Sequence, residues 1–355
     1  LYAKAILIAI GLWLFVFLAE RYFPMGADYL YYFRPLAEQW RDGYWHMYDG
    51  LRNRLLYPPW SLFIIAPLGW FPFDTGKALL LLLSVLAIIA ALRLLYHPRK
   101  IPVWILIMAL THLHAFDMYV RGQFDSVVLL GIALALWAYQ RKQPLWFSLA
   151  LCLATVKPPA GWALALIVFM IGIRGWSLRE KLLVTVFPIV CLAVSVLAFG
   201  VDFPIQFLNN LEPPVDYLSI SLWRFANANS IPLFVLVPPL IIAGFCWLRV
   251  AWREGVTLRV IAIALATNFV FIPYANGDHY VILLPAFIYV AARNWKLATL
   301  IYLLTWTPLL RLPLGYDAAV LDIFYPVALL LASWFLAPPV AVAPSVQATL
   351  VRETG

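Results

Sequence analysis

Asp28 stands a few residues past the first apolar stretch of the chain and is followed by Tyr29-Leu30-Tyr31-Tyr32-Phe33. A carboxylate among apolar and aromatic residues at a membrane boundary is expensive to keep ionised, so it marks a functional position by default. The chemistry it offers is proton abstraction. Around it, Trp40-Arg41-Asp42-Gly43, Met47-Tyr48-Asp49 and Leu56-Tyr57-Pro58-Pro59-Trp60 interleave aromatics with charges, a composition that an aromatic interface belt also explains. Arg121-Gly122-Gln123-Phe124-Asp125 breaks an apolar pattern further along. Gly122 and Gln123 suit a tight turn presenting an amide to a ligand, and they equally suit a polar hairpin. Lys157 lies between two short apolar segments and needs either an anionic partner, such as a lipid headgroup, or a path to the interface for its ammonium. Asp278-His279-Tyr280 sets a histidine beside a carboxylate that can fix its tautomer. Arg224 with Asn227, Asn229 and Ser230, and Arg311, complete a polar set whose ordinary role is loop capping.

Other chemistries find few residues. His112, His114 and Asp117 lie near one another in sequence but lack the spacing of known metal sites, and no metal is expected. There is no Gly-rich phosphate loop, no Gly-x-Ser-x-Gly elbow and no His-Glu-x-x-His. Cys152, Cys191 and Cys246 sit inside apolar runs and read as small core residues.

These residues are carried by a chain of 355 residues, 65% hydrophobic and 12% charged, with a mean hydropathy of +0.88. A soluble domain keeps about 25% of its residues charged. Leu182 to Val201, Phe225 to Leu248 and Val260 to Gly277 each lack Asp, Glu, Lys and Arg over a length that suits a transmembrane helix. A secreted disulfide scaffold, a nucleic-acid-binding domain and an ordinary cytosolic enzyme are excluded. The expected fold is all-α and polytopic, with about 12 transmembrane helices, near 3–21, 75–96, 101–118, 124–140, 145–156, 160–173, 182–199, 231–249, 256–273, 281–292, 297–310 and 320–337. The first is read as a retained helix, since no small-residue cleavage pattern precedes Glu20-Arg21-Tyr22.

Alternate connections carry Arg99 and Lys100, Arg141 and Lys142, Arg174 with Arg179 and Lys181, Arg249 and Arg253, and Arg293 with Lys296. The positive-inside rule turns these to the cytoplasm, together with both termini. Of the carboxylates, only Glu180, Glu254 and Glu353 then fall inside. Two long connections, 22–74 and 200–230, remain on the outer face and place the site there. Trp60 to Pro72 is too short and proline-rich to cross and reads as an interfacial or re-entrant helix. Lys157-Pro158-Pro159 reads as a break at membrane depth, tolerated only where it lines a cavity. The tail, 338–355, reads as a disordered cytoplasmic end.

Taken in order, Gly26-x-Asp28, Met47-Tyr48-Asp49, Tyr57-Pro58-Pro59, Gly122-Gln123, Lys157-Pro158, Asn229-Ser230 and Asp278-His279-Tyr280 resemble the bacterial polytopic GT-C glycosyltransferases of family GT87. That family includes polyprenyl-phosphate-mannose-dependent alpha-mannosyltransferases, and the resemblance runs over residues 1–337. It implies a single GT-C membrane domain in the inner membrane, with juxtamembrane helices in the outer loops. It also implies a lipid-linked sugar phosphate as donor, a lipid or glycan acceptor, and a catalytic Asp in the first outer loop, which carries over to Asp28. On that reading Asp28 is the general base and His279 its catalytic companion. Lys157, Arg121, Gln123, Arg224, Asn229, Tyr57 and Tyr280 bind substrate, Lys157 at the donor phosphate. Tyr29, Tyr32 and Trp60 offer stacking faces, no cofactor is needed and nucleic acid is no partner. Two other readings stay open: a transporter of lipid-linked sugar, and a non-catalytic subunit of a membrane assembly. A gathered Asp28, Lys157 and His279 is expected of an enzyme, and dispersed positions of a structural subunit.

Overall fold

The structure is a computed structural model that describes residues 2–24, 26–44, 57–157, 167, 171–209, 222, 226, 230–272, 275–310 and 321–336. Among the described residues every regular element is a helix and no strand occurs, as the composition requires. Three helices are long and apolar enough to cross a membrane: Phe73–Tyr96, Leu178–Phe199 and Phe234–Glu254. Val103–Thr111 and Leu113–Arg121 make a fourth if the pair, bent by 49°, is one span. The expected dozen crossings are therefore not matched by length. Asp125–Gln140 has 16 residues, Leu258–Phe271 has 14 and Pro144–Ala154 has 11, where a full span takes about 20. The segment 160–173 lies mostly outside the described residues, as do much of 200–230 and the tail.

A polar residue divides the bent pair Val103–Thr111 and Leu113–Arg121. His112 is extended (ψ 150°), and its Nδ1 accepts the Ala115 N–H at 3.2 Å, which ends one helix and caps the next. The residue weighed as a metal ligand is thus a helix cap. The Leu178–Phe199 and Phe234–Glu254 helices expose Ile189, Val190, Leu197, Ile241, Phe245 and Trp252. Apolar faces of that extent suit hydrocarbon rather than water, and the protein is a membrane protein. Cys246 is exposed on one of them and is not the core residue expected, since a thiol costs little against lipid. Cys152 and Cys191 are free thiols 3.6 Å apart, joining Pro144–Ala154 to Val186–Phe199.

Two close approaches fix what the site needs. A Cβ on Gly131 would lie 2.4 Å from the Ala154 amide nitrogen, so Asp125–Gln140 and Pro144–Ala154 pack backbone to backbone. Small residues are what permit such contact between helices in a membrane. Lys157, three residues beyond Ala154, is thereby carried to Asp125 at the start of the neighbouring helix. In the segment after the first helix, Arg34 donates to the carbonyls of Phe71 (2.6 Å) and Leu68 (3.2 Å), and Arg41 to that of Gly69 (3.1 Å). These bonds tie the Arg34–Arg41 helix to the short Pro59–Trp70 helical segment, whose backbone lacks a sheet or long helix to satisfy it.

Candidate active site

Gly122 ends the Leu113–Arg121 helix with φ +72°, the left-handed conformation in which glycine carries no steric penalty. A Cβ there would sit 2.8 Å from Tyr29 Cβ, and one on Gly26 would sit 2.9 Å from the Arg121 carbonyl oxygen. The backbone before Asp28 therefore rests directly on the Gly122 turn. Phe124 is fully buried, with its ring centroid 5.1 Å from Phe33 and 5.5 Å from Tyr57. Ser84 donates to the Gln123 carbonyl at 3.2 Å. Gln123 is thus fixed from both sides, facing the segment that carries Asp28.

Gly122→Ala should lower turnover at least tenfold and depress the melting temperature, because a left-handed alanine is strained by about 1–2 kcal/mol and its methyl displaces Tyr29. Gly43 also has positive φ, +79°, but nothing lies within 4 Å of its Cβ position. Gly43→Ala therefore shares the backbone strain without the collision and should keep its turnover. Equal activity of the two variants in a transfer assay would refute the contact.

From Gln123 a chain of polar contacts runs inward. Its Nε2 donates to Asp28 Oδ2 at 2.7 Å, and its Oε1 accepts from Lys157 Nζ at 3.0 Å. The same ammonium donates to Asp125 Oδ2 at 2.7 Å and to Asp278 Oδ2 at 3.4 Å. Lys157 is 2% exposed, and Asp125 and Asp278 are fully buried. Three N–H bonds meet three acceptors, so the lysine expected at a donor phosphate is placed in a saturated interior bridge. Removing one partner of such a bridge typically costs about 3–5 kcal/mol, because the other charge is left buried and unpaired.

Arg121 is the cation nearer the surface, its side chain 34% exposed. Its Nε lies 2.9 Å from Asp117 Oδ1 and 4.0 Å from Asp278 Oδ1. Asp28 is half-buried. Burial lifts its carboxyl above the ordinary carboxylate range, the Gln123 hydrogen bond opposes that rise, Asp278 adds to it, and Lys157 and Arg121 counter it. His279 Nε2 is 3.7 Å from Asp278 Oδ2. Its Nδ1 accepts the Asn276 N–H at 3.2 Å, so a backbone amide, rather than the neighbouring carboxylate, fixes the neutral ring with its proton on Nε2.

Asp28, Gln123, Lys157, Arg121 and His279 are brought into one network, with Tyr57 packed beside it on Phe124. Tyr280 is not. It is fully buried, with ring centroids 5.0 Å from His114, 5.5 Å from Phe269 and 6.2 Å from Tyr325. Of the expected stacking residues, Tyr29 is buried against Phe73, Trp60 is partly buried and Tyr32 is exposed. Arg224, Asn229 and Arg311 lie outside the described residues. Among the described residues, Asp125, Asp278 and His279 have ligand atoms within 4.8 Å of one another, a spacing that suits a metal ion. The place facing both carboxylates is taken by the Lys157 ammonium.

The arrangement joins a part-exposed carboxylate, a surface-reaching guanidinium and a locked interior salt bridge, the parts of a group transfer that needs a base and an anion-stabilising cation. No curated protein and no solved structure matches the chain. A sequence model of Glycosyltransferase family 87 matches residues 55–273, which takes in Tyr57, Arg121, Gln123 and Lys157 but neither Asp28 nor His279. With more than half of its 355 residues matched, the chain belongs to glycosyltransferase family 87.

Proposed function

We propose that this glycosyltransferase moves a hexose, mannose, from a polyprenyl-phosphate sugar to a lipid-linked or glycan acceptor at the outer face of the inner membrane. The observation that carries the reading is Asp28: half-buried, hydrogen-bonded by Gln123 at 2.7 Å, and within the electrostatic reach of Arg121. In the transfer, Asp28 takes the acceptor hydroxyl proton as that oxygen attacks the anomeric carbon. The bond from that carbon to the phosphate oxygen breaks on the opposite face, inverting the centre, and polyprenyl phosphate leaves with the electron pair. The leaving group is already an anion and needs charge stabilisation more than a proton; Arg121 supplies it, with the His279 Nε2–H as the interior donor. Lys157 holds the bridge beneath. The exposed apolar helices accommodate the bilayer, and the prenyl chain enters from it. No step calls for a metal or cofactor.

Purified protein given radiolabelled polyprenyl-phosphate-mannose and a membrane lipid extract should transfer label to an extractable lipid or glycan. Transfer from a different polyprenyl-phosphate hexose alone would change the sugar. Transfer from a nucleotide sugar alone would remove the donor class.

A further inference from the structure

Resting on the reading of Asp28 as base, we propose that Lys157 is a positioning residue that locks the Gln123 amide in the one orientation able to donate a hydrogen bond to the Asp28 carboxylate. A carboxamide has two near-isosteric orientations, and only its partners choose between them. An ammonium has donors and no acceptor, so it must meet the amide oxygen. An ionised carboxylate has acceptors and no donor, so it must meet the amide nitrogen. Gln123 sits between one of each, with Oε1 3.0 Å from Lys157 Nζ and Nε2 2.7 Å from Asp28 Oδ2. The flipped amide would set NH2 against ammonium and carbonyl against carboxylate, two repulsions in a buried setting where each counts for more than in water.

The lysine can hold that post because it cannot move. Asp125 and Asp278 take its other two N–H bonds, and the Gly131 contact with Ala154 fixes the helix leading to it. Position is thus passed from an interior salt bridge to a part-exposed base through one side chain. The charged groups facing Asp28 from the surrounding elements are Asp278, Lys157, Arg121 and Asp117, so the lysine also acts on Asp28 through its field, and the test separates the two routes.

The measurements are kcat, donor KM and the pH profile of kcat, taken on Gln123→Leu, Lys157→Met and the double variant. Each single change should lower kcat roughly tenfold, the worth of a hydrogen bond to a charged group. Donor KM should stay constant, and the acid limb should move to higher pH, because Asp28 loses a donor that favours its ionised form. Adding Lys157→Met to Gln123→Leu should then lower kcat little further and move the limb less than it does in the parent. A limb that moves as far in the Gln123→Leu background as in the parent means the lysine acts by field alone and overturns the relay. A raised donor KM with an unmoved limb overturns it in favour of direct phosphate binding. Should Lys157→Met fail to fold, Asp125→Asn with Lys157→Met removes both charges together and carries the same comparison. Failure of the underlying reading looks different: Asp28→Asn would then keep parental turnover, whereas failure of the relay alone leaves Asp28→Asn inactive.

Discussion

Asp28→Asn should reduce turnover at least about a hundredfold, the usual worth of a general base, while leaving the melting temperature close to that of the parent. Asparagine keeps the shape of the side chain and can rotate its carbonyl oxygen toward the Gln123 Nε2–H, so the 2.7 Å contact survives the change. What disappears is the capacity to accept a proton. The pH dependence follows in sign. Burial lifts the Asp28 carboxyl, so its protonated form persists to higher pH than for a solvated aspartate. Since only the ionised form accepts the acceptor's proton, kcat should fall as pH drops through that raised value, and Asp28→Asn should abolish the acid limb. An Asn variant with the parental rate and the parental limb would remove Asp28 from the chemistry.

Arg121→Met should lower kcat by about a hundredfold or more, the effect typical of removing one charge-stabilising donor from a transition state, with a smaller change in donor KM. The reason lies in exposure: of the two network cations, Lys157 has its N–H bonds filled, whereas Arg121 is 34% exposed and shares its charge between Asp117 and the more distant Asp278. Arg121→Lys should recover part of the loss, since a compact ammonium restores the charge without the planar fork. The alternative is that Arg121 only neutralises Asp117 and Asp278. In that case Arg121→Met would lower the melting temperature and leave kcat within a few-fold, and joint removal with Asp117→Asn would restore stability.

Much of this site is visible in the sequence because its members violate their surroundings. Asp28, Lys157 and Asp278-His279 interrupt apolar or aromatic runs, and a charge in such a place must have a partner. Which anion partners Lys157 is not visible in that way: the sequence points to a donor phosphate, and the fold supplies Asp125 and Asp278 from helices distant in the chain. The close approaches are another matter. That Gly26 and Gly122 touch, and that Gly131 lies against Ala154, is a property of paired backbones, and a glycine looks the same in a loop whether its Cβ position is open, as at Gly43, or filled. Tyr280 adjoins His279 in the sequence motif, and only the structure shows that its ring packs among the buried aromatics His114, Phe269 and Tyr325. The helical class is legible from composition, but the number of full crossings is not. Apolar runs of equal hydropathy end at different lengths once caps such as His112 divide them.

The interior bridge also orders the making of the protein. Asp125 and Lys157 belong to neighbouring helices 32 residues apart, whereas Asp278 lies 121 residues further on than Lys157. At about 5–20 residues per second of synthesis, those 121 residues occupy roughly 6–24 s. For that interval the ammonium has Asp125 and Gln123 but lacks its second carboxylate. The two helices therefore carry the lysine's counter-ion within their own hairpin, which spares the insertion machinery a bare buried lysine. Arrival of Asp278 brings His279 with it, so the step that completes the lysine's coordination also delivers the last part of the site.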